Sequence, residues 1–459
     1  MGKHPAALAA AGQGLGGMAQ PQEDPAPGLR SGALSGKALY AATVGIIVAT
    51  GSLSLNGVGM GKAGPAFVLA LLMAYGLALI NSTVFSELGT SYPQSGSIMV
   101  YVSKAFGERL GTAAALSYGI GLALASSAEA TVIGRLLEHA FPGLRWWAWA
   151  FLLITLLMLI NLGSVDLFGR FQIGCVIIML SSQLVFPLLA FAGRGLEPVH
   201  YSAFSPFLRT EPMHLLSLVI IAYFLFAGFE MACPLVEEAR NPSKNLPRAM
   251  IGAASTVILT TVLMGLTFLG YIPAAQLAQE VEYPHLLMAQ AVMGNTGKYW
   301  WIFVSLAASS SAVSAVYAVV PRLLYGMSRE GSVPAIFGYL HPRFRSPWTG
   351  IFVCYAITLV FGIVYPGWVF LFSVAAFAWI STYVLVVASA IWLRRKDKQT
   401  PRPFRMPLFP FLPAVGLIGM VLVLFFSGRD TLLVGGGLFV SCLIYSLVVL
   451  SLRARRVPQ

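Results

Sequence analysis

Charged residues are scarce in this chain. Asp, Glu, Lys and Arg make up only 10% of its 459 residues, whereas 57% of the residues are hydrophobic and the mean hydropathy is +0.78. This composition excludes an ordinary soluble globular protein and predicts a polytopic membrane protein. Twelve apolar stretches, each of roughly 18–29 residues, are long enough to span a hydrocarbon core of about 30 Å. They leave no room for a soluble catalytic domain, which argues against an enzyme.

Residue patterns that would support catalysis or metal binding are also missing. The four cysteines, Cys175, Cys233, Cys354 and Cys442, lie far apart and inside apolar runs. Their spacing fits neither a metal site nor a disulfide framework, so they are interpreted as small buried residues. No nucleophile stands at a usable spacing from a base, and His, Asp and Glu form no metal-binding cluster. We therefore expect no catalytic residues, no metal and no cofactor.

The N-terminal segment lacks the features of a signal peptide. It has no basic start followed by a continuous apolar core. Residues 1–37 are instead rich in Ala, Gly and Pro, a composition that predicts a disordered cytoplasmic tail.

The net charge of +12 suggests a nucleic-acid partner, but the distribution of the basic residues argues against one. With Met1 placed inside, the inner segments hold 22 of the 29 Lys and Arg residues and the outer segments hold 7. This asymmetry follows the positive-inside rule and predicts a multi-pass protein of the cytoplasmic (inner) membrane with both termini in the cytoplasm. The expected partner is therefore the lipid bilayer, with basic runs near the last helices meeting anionic lipids, and not nucleic acid.

One apolar run contains three residues that disfavour a continuous spanning helix. Residues 226–242 place Gly228, Glu230 and Pro234 close together at membrane depth, which predicts that the helix is broken there. Non-helical backbone at that depth is tolerated only where it faces protein or a water-filled cavity, and intramembrane carboxylates are commonly functional. The pattern is typical of a substrate site in a secondary transporter. The alternative is a kinked packing helix with a buried acid.

A second candidate break lies in predicted helix 1, at Ala49-Thr50-Gly51-Ser52. Small and hydroxylated residues at a helix centre fit either close helix packing or an unwound patch whose free N–H groups face an anionic ligand. Gly51 and Gly228 are 177 residues apart, and five predicted spans fill each interval. A repeat of five spans crosses the membrane an odd number of times, so its second copy enters from the side opposite to the first. The spacing thus favours an inverted repeat with a discontinuous first helix in each half.

Three motifs make the chain resemble the amino acid–polyamine–organocation (APC) family of transporters. The first lies in predicted helix 6 and the loop after it: residues 226–230 with Glu237-Glu238, Asn241-Pro242 and Pro247-Arg248-Ala249. The second follows helix 8: residues 325–331 with Pro334 and His341-Pro342-Arg343. The third follows helix 2: Glu87-Leu88-Gly89 with Pro93 and Gly96. The resemblance covers about residues 38–455. It implies an all-α membrane protein of twelve transmembrane helices with a LeuT-like 5+5 inverted repeat and broken helices 1 and 6. The first repeat then spans residues 38–212, the second 213–394, and helices 11 and 12 with the cytoplasmic C-terminus 395–459.

The resemblance further implies a permease or exchanger that moves an amino acid or a related organic amine by alternating access. The expected substrate contacts come from both breaks and from helix 3: Ala49, Thr50, Gly51, Ser52, Ser126, Glu129, Phe226, Ala227 and Gly228. Phe224 and Phe229 are candidate gates, because aromatic rings exclude water and stack on ammonium groups. A polyamine or cationic amino acid antiporter and a substrate-sensing transceptor are the alternatives. Monomer and homodimer both remain open.

Departures from the family pattern bear on carboxylate binding and on coupling. Helix 1 of the family usually reads Gly-Ser-Gly, so Ala49-Thr50-Gly51 predicts a tighter cradle for a substrate carboxylate. Many proton-coupled members have a lysine in helix 5, about seven residues after a glutamine, where this chain has Met179. A thioether carries no proton, so we expect exchange, with Glu230 and Glu129 as the remaining candidates for coupling.

The substrate class depends on Glu129, which lies on predicted helix 3 and shares a helical face with Ser126. An ionised Glu129 favours a substrate with a second positive group, such as a basic amino acid or a polyamine. A protonated Glu129 leaves the pocket merely polar and suits a neutral amino acid. Serines of helix 8 fit either Na⁺ ligation or hydrogen bonds to their own helix: Ser310, Ser311 and Ser314.

Overall fold

The computed structural model describes residues 28–208, 210–279, 283–364 and 367–456. In this part of the chain about 80% of the residues are helical and no strand forms, apart from an isolated bridge between Leu34 and Ala239. Eight helical segments are long and apolar enough to cross a membrane, and five shorter apolar helices accompany them. Most of the predicted tail at residues 1–37 lies outside the described residues.

Fifteen α-helices are described, and most are joined by short turns. They are α1 (Gly36–Ile47), α2 (Thr50–Ala63), α3 (Phe67–Ser91), α4 (Ser97–Phe106), α5 (Glu108–Ala140), α6 (Trp146–Leu162), α7 (Val165–Phe191), α8 (Pro212–Phe224), α9 (Pro242–Tyr271), α10 (Ala274–Ala278), α11 (Pro284–Arg329), α12 (Trp348–Leu359), α13 (Trp368–Lys396), α14 (Phe411–Phe425) and α15 (Arg429–Arg456). Short 3-10 turns lie at Phe229–Ala232 and Val236–Glu238, between α8 and α9.

Helix α5 lies at the centre of the bundle, where it packs against α4, α6, α11, α13 and α15. Its sequence is rich in Ala, Gly and Ser, and small side chains let helix backbones approach closely inside a membrane. Helices α14 and α15 lie at the periphery and expose large apolar side chains, among them Ile418, Phe425 and Ile444. The described surface therefore has the apolar exterior that a lipid environment requires.

The two predicted breaks coincide with helix ends. Helix α1 stops at Ile47, Ala49 is extended, and α2 begins at Thr50; α8 stops at Phe224 before the 3-10 turn. Gly228 has a φ of 118°, a conformation that residues with a side chain rarely adopt, and a Cβ there would lie 2.7 Å from Ile46 Cγ2. Glycine is thus required at this position, and the two interruptions lie side by side.

One end of the bundle carries a buried cluster of charged side chains that includes Arg322, Arg394 and Arg402. We call this end of the bundle the basic end. Glu87, at the end of α3, is only 2% exposed. Arg402 Nε donates to Glu87 Oε1 at 3.1 Å, and Arg394 Nε lies 3.4 Å from the same oxygen. The backbone N–H of Met406 donates to Glu87 Oε2 at 2.8 Å. These contacts fasten α3 to α13 and the segment that follows it.

A second contact at the basic end also links the end of α3 to the segment that follows α13. Thr400 Oγ1 and Tyr92 OH donate to Asp397 Oδ2 at 2.6 Å and 2.7 Å. These hydrogen bonds to the charged form hold the pKa of the Asp397 carboxyl at about 2. Asp397 is therefore ionised at neutral pH and accepts from both hydroxyls.

Gly326→Ala is expected to destabilise the protein by about 1–3 kcal/mol, because α11 touches the backbone before α4 at this glycine. An added Cβ would lie 2.2 Å from Gly96 N and 2.6 Å from Gly96 Cα. Thermal unfolding of the purified protein in detergent measures the effect. The matched control is Gly174→Ala on α7, where an added Cβ meets nothing within 4 Å. Equal melting temperatures for both variants would contradict the close approach of α11 to Gly96.

Candidate functional site

A small cavity lies where the two helix interruptions meet. Its volume is about 40 Å³, which is space for a few water molecules. Helices α1, α2, α5, α8, α11 and α13 and the interruptions themselves supply its walls: Ile46, Ile47, Ala49, Ser52, Ala125, Ser126, Glu129, Phe224, Ala227, Ala312, Val313, Val316, Phe372 and Trp379. The walls are mostly apolar, with a single carboxylate among them.

That carboxylate, Glu129 on α5, is held at the N-terminus of α2. The backbone N–H of Thr50 donates to Glu129 Oε1 at 2.9 Å, and Ser309 Oγ on α11 donates to the same oxygen at 2.6 Å. The first N–H groups of a helix have no partner within the helix and carry a partial positive charge, so an anion is stabilised there. Glu129 is 2% exposed, and its other oxygen, Oε2, has no hydrogen-bond donor among the described residues.

Three aromatic rings form one wall of the cavity. Phe224 on α8 lies 5.8 Å from Phe372 and 5.7 Å from Trp379, centroid to centroid, and both contacts are close to edge-to-face. Such pairs add about 0.5–1.5 kcal/mol each beyond the area they bury. The opposite wall is aliphatic and includes Ile46 and Val316.

The aromatic wall separates this cavity from a larger one. The larger space, about 220 Å³, shares Phe224, Ala227, Phe372 and Trp379 with the first and continues past Leu55 and Ile221. A third space of about 450 Å³ follows it and shares Trp368, Ser373 and Thr431 with the second. The cavities therefore form a series that leads from Glu129 towards the end of the bundle opposite the basic end.

Glu230 lies outside this cavity, behind the second interruption. Tyr118 OH donates to its Oε1 at 2.7 Å, while Tyr383 OH and the backbone N–H of Gly228 donate to its Oε2. The side chain is fully buried. Glu230 thus satisfies a backbone N–H that the broken helix releases, and it ties that break to α5 and α13.

The predicted site residues fall into three groups: six that line the cavity, two that lie beside Glu129, and four that do neither. Six of them line the cavity: Ala49, Ser52, Ser126, Glu129, Phe224 and Ala227. Thr50 binds Glu129, and a Cβ at Gly51 would lie 3.4 Å from Glu129 Oε2. The remaining four do not line it: Phe226, Gly228, Phe229 and Glu230. Phe226 packs beside the Tyr75 ring at 6.1 Å, and Phe229 packs between Phe85 and Tyr383.

Sequence reasoning missed Phe372 and Trp379, because α13 contains few polar residues. A signal was available in the spacing of Trp368, Phe372 and Trp379, which puts the three on one face of a helix. Two helix 8 serines considered for Na⁺ bond to other helices in the described structure. Ser311 Oγ donates to Gln172, and Ser314 Oγ accepts from Asn161 at 2.9 Å.

Comparisons with known proteins match most of the chain to transporters. A sequence model of the family described as amino acid permease matches residues 34–448. The glutamate/serine transporter AimA of Bacillus subtilis (strain 168) is 23% identical over 390 residues, which cover 80% of this chain and 72% of the relative. The branched-chain amino acid permease BcaP of the same organism is 23% identical over 445 residues, covering 90% and 91%. Its methylthioribose transporter is 25% identical over 398 residues, covering 81% and 82%.

Proposed function

The chain belongs to the amino acid permease family, whose members are transporters and not enzymes, and we propose that it moves an amino acid or a related organic amine across the cytoplasmic membrane by alternating access. The observation that carries the proposal is the cavity at the two helix interruptions. Secondary transporters place their substrate at discontinuous helices near the midplane, where irregular backbone lines a cavity. The proposal includes twelve spans arranged as a LeuT-like inverted repeat, with residues 38–212 and 213–394 as its halves.

The series of cavities supports a route of access from one side. The outermost space is lined by Trp368 and Asp430, and the innermost contains Glu129. Phe224, Phe372 and Trp379 stand between the innermost space and the next one. In the proposed mechanism these three rings form the gate on this side, and their movement lets the substrate reach Glu129.

The basic end supplies the opposite gate in this proposal. Glu238 is 2% exposed and pairs with Arg322, which is 4% exposed and also donates to Ala318 O at 2.8 Å. The segment before α1 adds two backbone hydrogen bonds, from Leu34 N to Glu238 O at 2.8 Å and from Arg240 N to Leu34 O at 2.9 Å. In the proposal this end faces the cytoplasm, and the excess of Lys and Arg in the inner segments supports that orientation. Release of substrate there requires the Arg322–Glu238 pair to separate.

We expect uptake to depend strongly on substrate inside the vesicle and weakly on an imposed proton gradient. Met179 replaces the lysine expected for proton coupling, and Glu230 is held by three hydrogen-bond donors outside the cavity. The purified protein is reconstituted in proteoliposomes, and uptake of labelled amino acids and amines is measured with and without unlabelled internal substrate. Internal substrate should raise uptake several-fold, whereas a pH gradient alone should change it little.

Three other outcomes would change the proposal. Accumulation driven by a pH gradient with empty vesicles would contradict exchange and make Glu230 and Glu129 the proton carriers to test. Uptake that never saturates would indicate a channel. Binding without any uptake would favour a transceptor, which senses its substrate and does not move it.

A further inference from the structure

The N-terminus of α2 is the part of the cavity wall best suited to bind an anion, and the Glu129 carboxylate occupies it. Thr50 N and Ser309 Oγ both donate to Glu129 Oε1, at 2.9 Å and 2.6 Å. In the same turn, the backbone N–H of Ser52 bonds to Ala49 O at 3.1 Å. A substrate carboxylate would have to compete with Glu129 for the same helix end.

The second interruption is filled in the same way. The released N–H of Gly228 donates to Glu230 Oε2 at 3.2 Å. At each break, a carboxylate of the protein itself therefore accepts a hydrogen bond from a released backbone N–H. None of the described residues that line the cavity is Lys, Arg or His. A substrate carboxylate would thus enter a small apolar space next to Glu129 with no positive partner, and an unpaired buried anion is costly.

The cavity offers acceptors and aromatic faces instead. Glu129 and Ser126 line the cavity, and the buried atoms Glu129 Oε2 and Ser126 Oγ have no hydrogen-bond partner among the described residues. A buried carboxylate oxygen without a partner calls for a donor, and an ammonium group supplies both the donor and the balancing charge. The rings of Phe224, Phe372 and Trp379 line the same space and add cation–π attraction and apolar contact.

We infer that the substrate is a small organic amine without a carboxylate, whose ammonium group binds Glu129 Oε2 and whose hydrocarbon part lies against Phe224, Phe372 and Trp379. The inference rests on the transport function proposed above and narrows its substrate class. In this arrangement Glu129 occupies the helix end that an amino acid's carboxylate would otherwise take, and the amine completes a neutral pair in the cavity.

Binding to the purified wild-type protein tests the inference with matched pairs of ligands. Each pair is an amino acid and the amine that remains after its carboxylate is replaced by hydrogen: leucine and 3-methylbutylamine, phenylalanine and phenethylamine, and lysine and cadaverine. The shift in melting temperature is measured as a function of ligand concentration. At least one amine is expected to bind about tenfold or more tightly than its amino acid. Tighter binding of the amino acid in every pair, or no binding of any amine, would overturn the inference.

Variants of Glu129 supply a second test, with folding checked by size-exclusion chromatography. Glu129→Gln keeps the shape and removes the charge, so it should weaken amine binding about tenfold or more. Glu129→Ala frees Thr50 N and should shift the preference within each pair towards the amino acid. The matched control is Glu138→Gln on the same helix, 33% exposed and paired with Arg145, which should bind like wild type. Equal weakening of amine and amino acid by Glu129→Gln would overturn the inference.

The same proteoliposome assay separates this inference from the transport proposal. Saturable exchange of amino acids, with amines bound less tightly, would leave the transport function standing and refute the amine substrate. Amine binding that depends on Glu129, without any uptake, would support the assigned site and refute transport.

Discussion

Gly51→Leu is expected to reduce uptake to less than one hundredth of the wild-type rate, equivalent to a loss of more than about 2.7 kcal/mol. Gly51 lies in the first turn of α2, where an added Cβ would be 3.3 Å from the Phe372 ring and 3.4 Å from Glu129 Oε2. Gly51 lines the larger cavity of about 220 Å³, so the rest of a leucine side chain would fill part of the route that leads to Glu129. Initial rates in proteoliposomes measure the effect.

The control for this prediction is Gly76→Leu on α3, where an added Cβ has no neighbour within 4 Å. Both variants should be expressed, insert in the membrane and elute as folded protein. Only Gly51→Leu should lose transport. Normal transport by Gly51→Leu would mean that the interruption between α1 and α2 serves helix packing and not the substrate.

Arg322→Met is expected to destabilise the protein by about 3–5 kcal/mol, and Glu238→Met by a similar amount. Each substitution leaves one buried charge without its partner, because the two side chains are only 4% and 2% exposed. The free energy of unfolding is lowered in each single variant, and chemical or thermal unfolding in detergent measures the change.

The double variant distinguishes the loss of the ion pair from the cost of leaving one buried charge without a partner. Two apolar side chains of similar length often replace a buried ion pair with little loss, or even a gain, of stability. Arg322→Met combined with Glu238→Met should therefore be much more stable than either single variant. Additive losses would show that the two residues do not act as a pair. For comparison, Arg329 is 59% exposed and lies 3.5 Å from Glu237, so Arg329→Met should cost at most about 1 kcal/mol.

The two helix interruptions were the most predictable part of the site. Gly228, Glu230 and Pro234 are unfavourable inside a spanning helix, and so is a run of small and hydroxylated residues at positions 49–52. These conformational preferences depend on neighbouring residues only, so a single sequence is enough to detect them. The resemblance to a transporter family agrees with the family match over residues 34–448.

The contact between Glu129 and Thr50 could not be predicted in the same way. It joins residues 79 positions apart, and it depends on how α5 is rotated against α2. That rotation depends on how small residues of several helices pack together, and no local sequence pattern indicates it. The sequence therefore suggested that Glu129 faces a substrate and did not show that it occupies a helix end.

The choice among the aromatic residues also required the structure. Phe224 lies at the end of α8 and faces the cavity, but beyond it the chain loses its helical period. Phe226 and Phe229 consequently point elsewhere and are fully buried among other rings. On α13 the sequence does not separate Phe370, which is 41% exposed, from Trp379, which is 6% exposed, because lipid and protein interior are equally apolar.

In the proposed mechanism, the cavity beside Glu129 is the transport site and is reached from each side of the membrane in turn. Ala125→Cys places a thiol in the cavity wall, in a protein whose four native cysteines have been replaced by alanine or serine. A membrane-impermeant cationic thiol reagent is applied to vesicles of each orientation, with and without saturating substrate. The account predicts labelling from both sides and slower labelling when substrate is present. Labelling from only one side, or at a rate that substrate does not change, would contradict it.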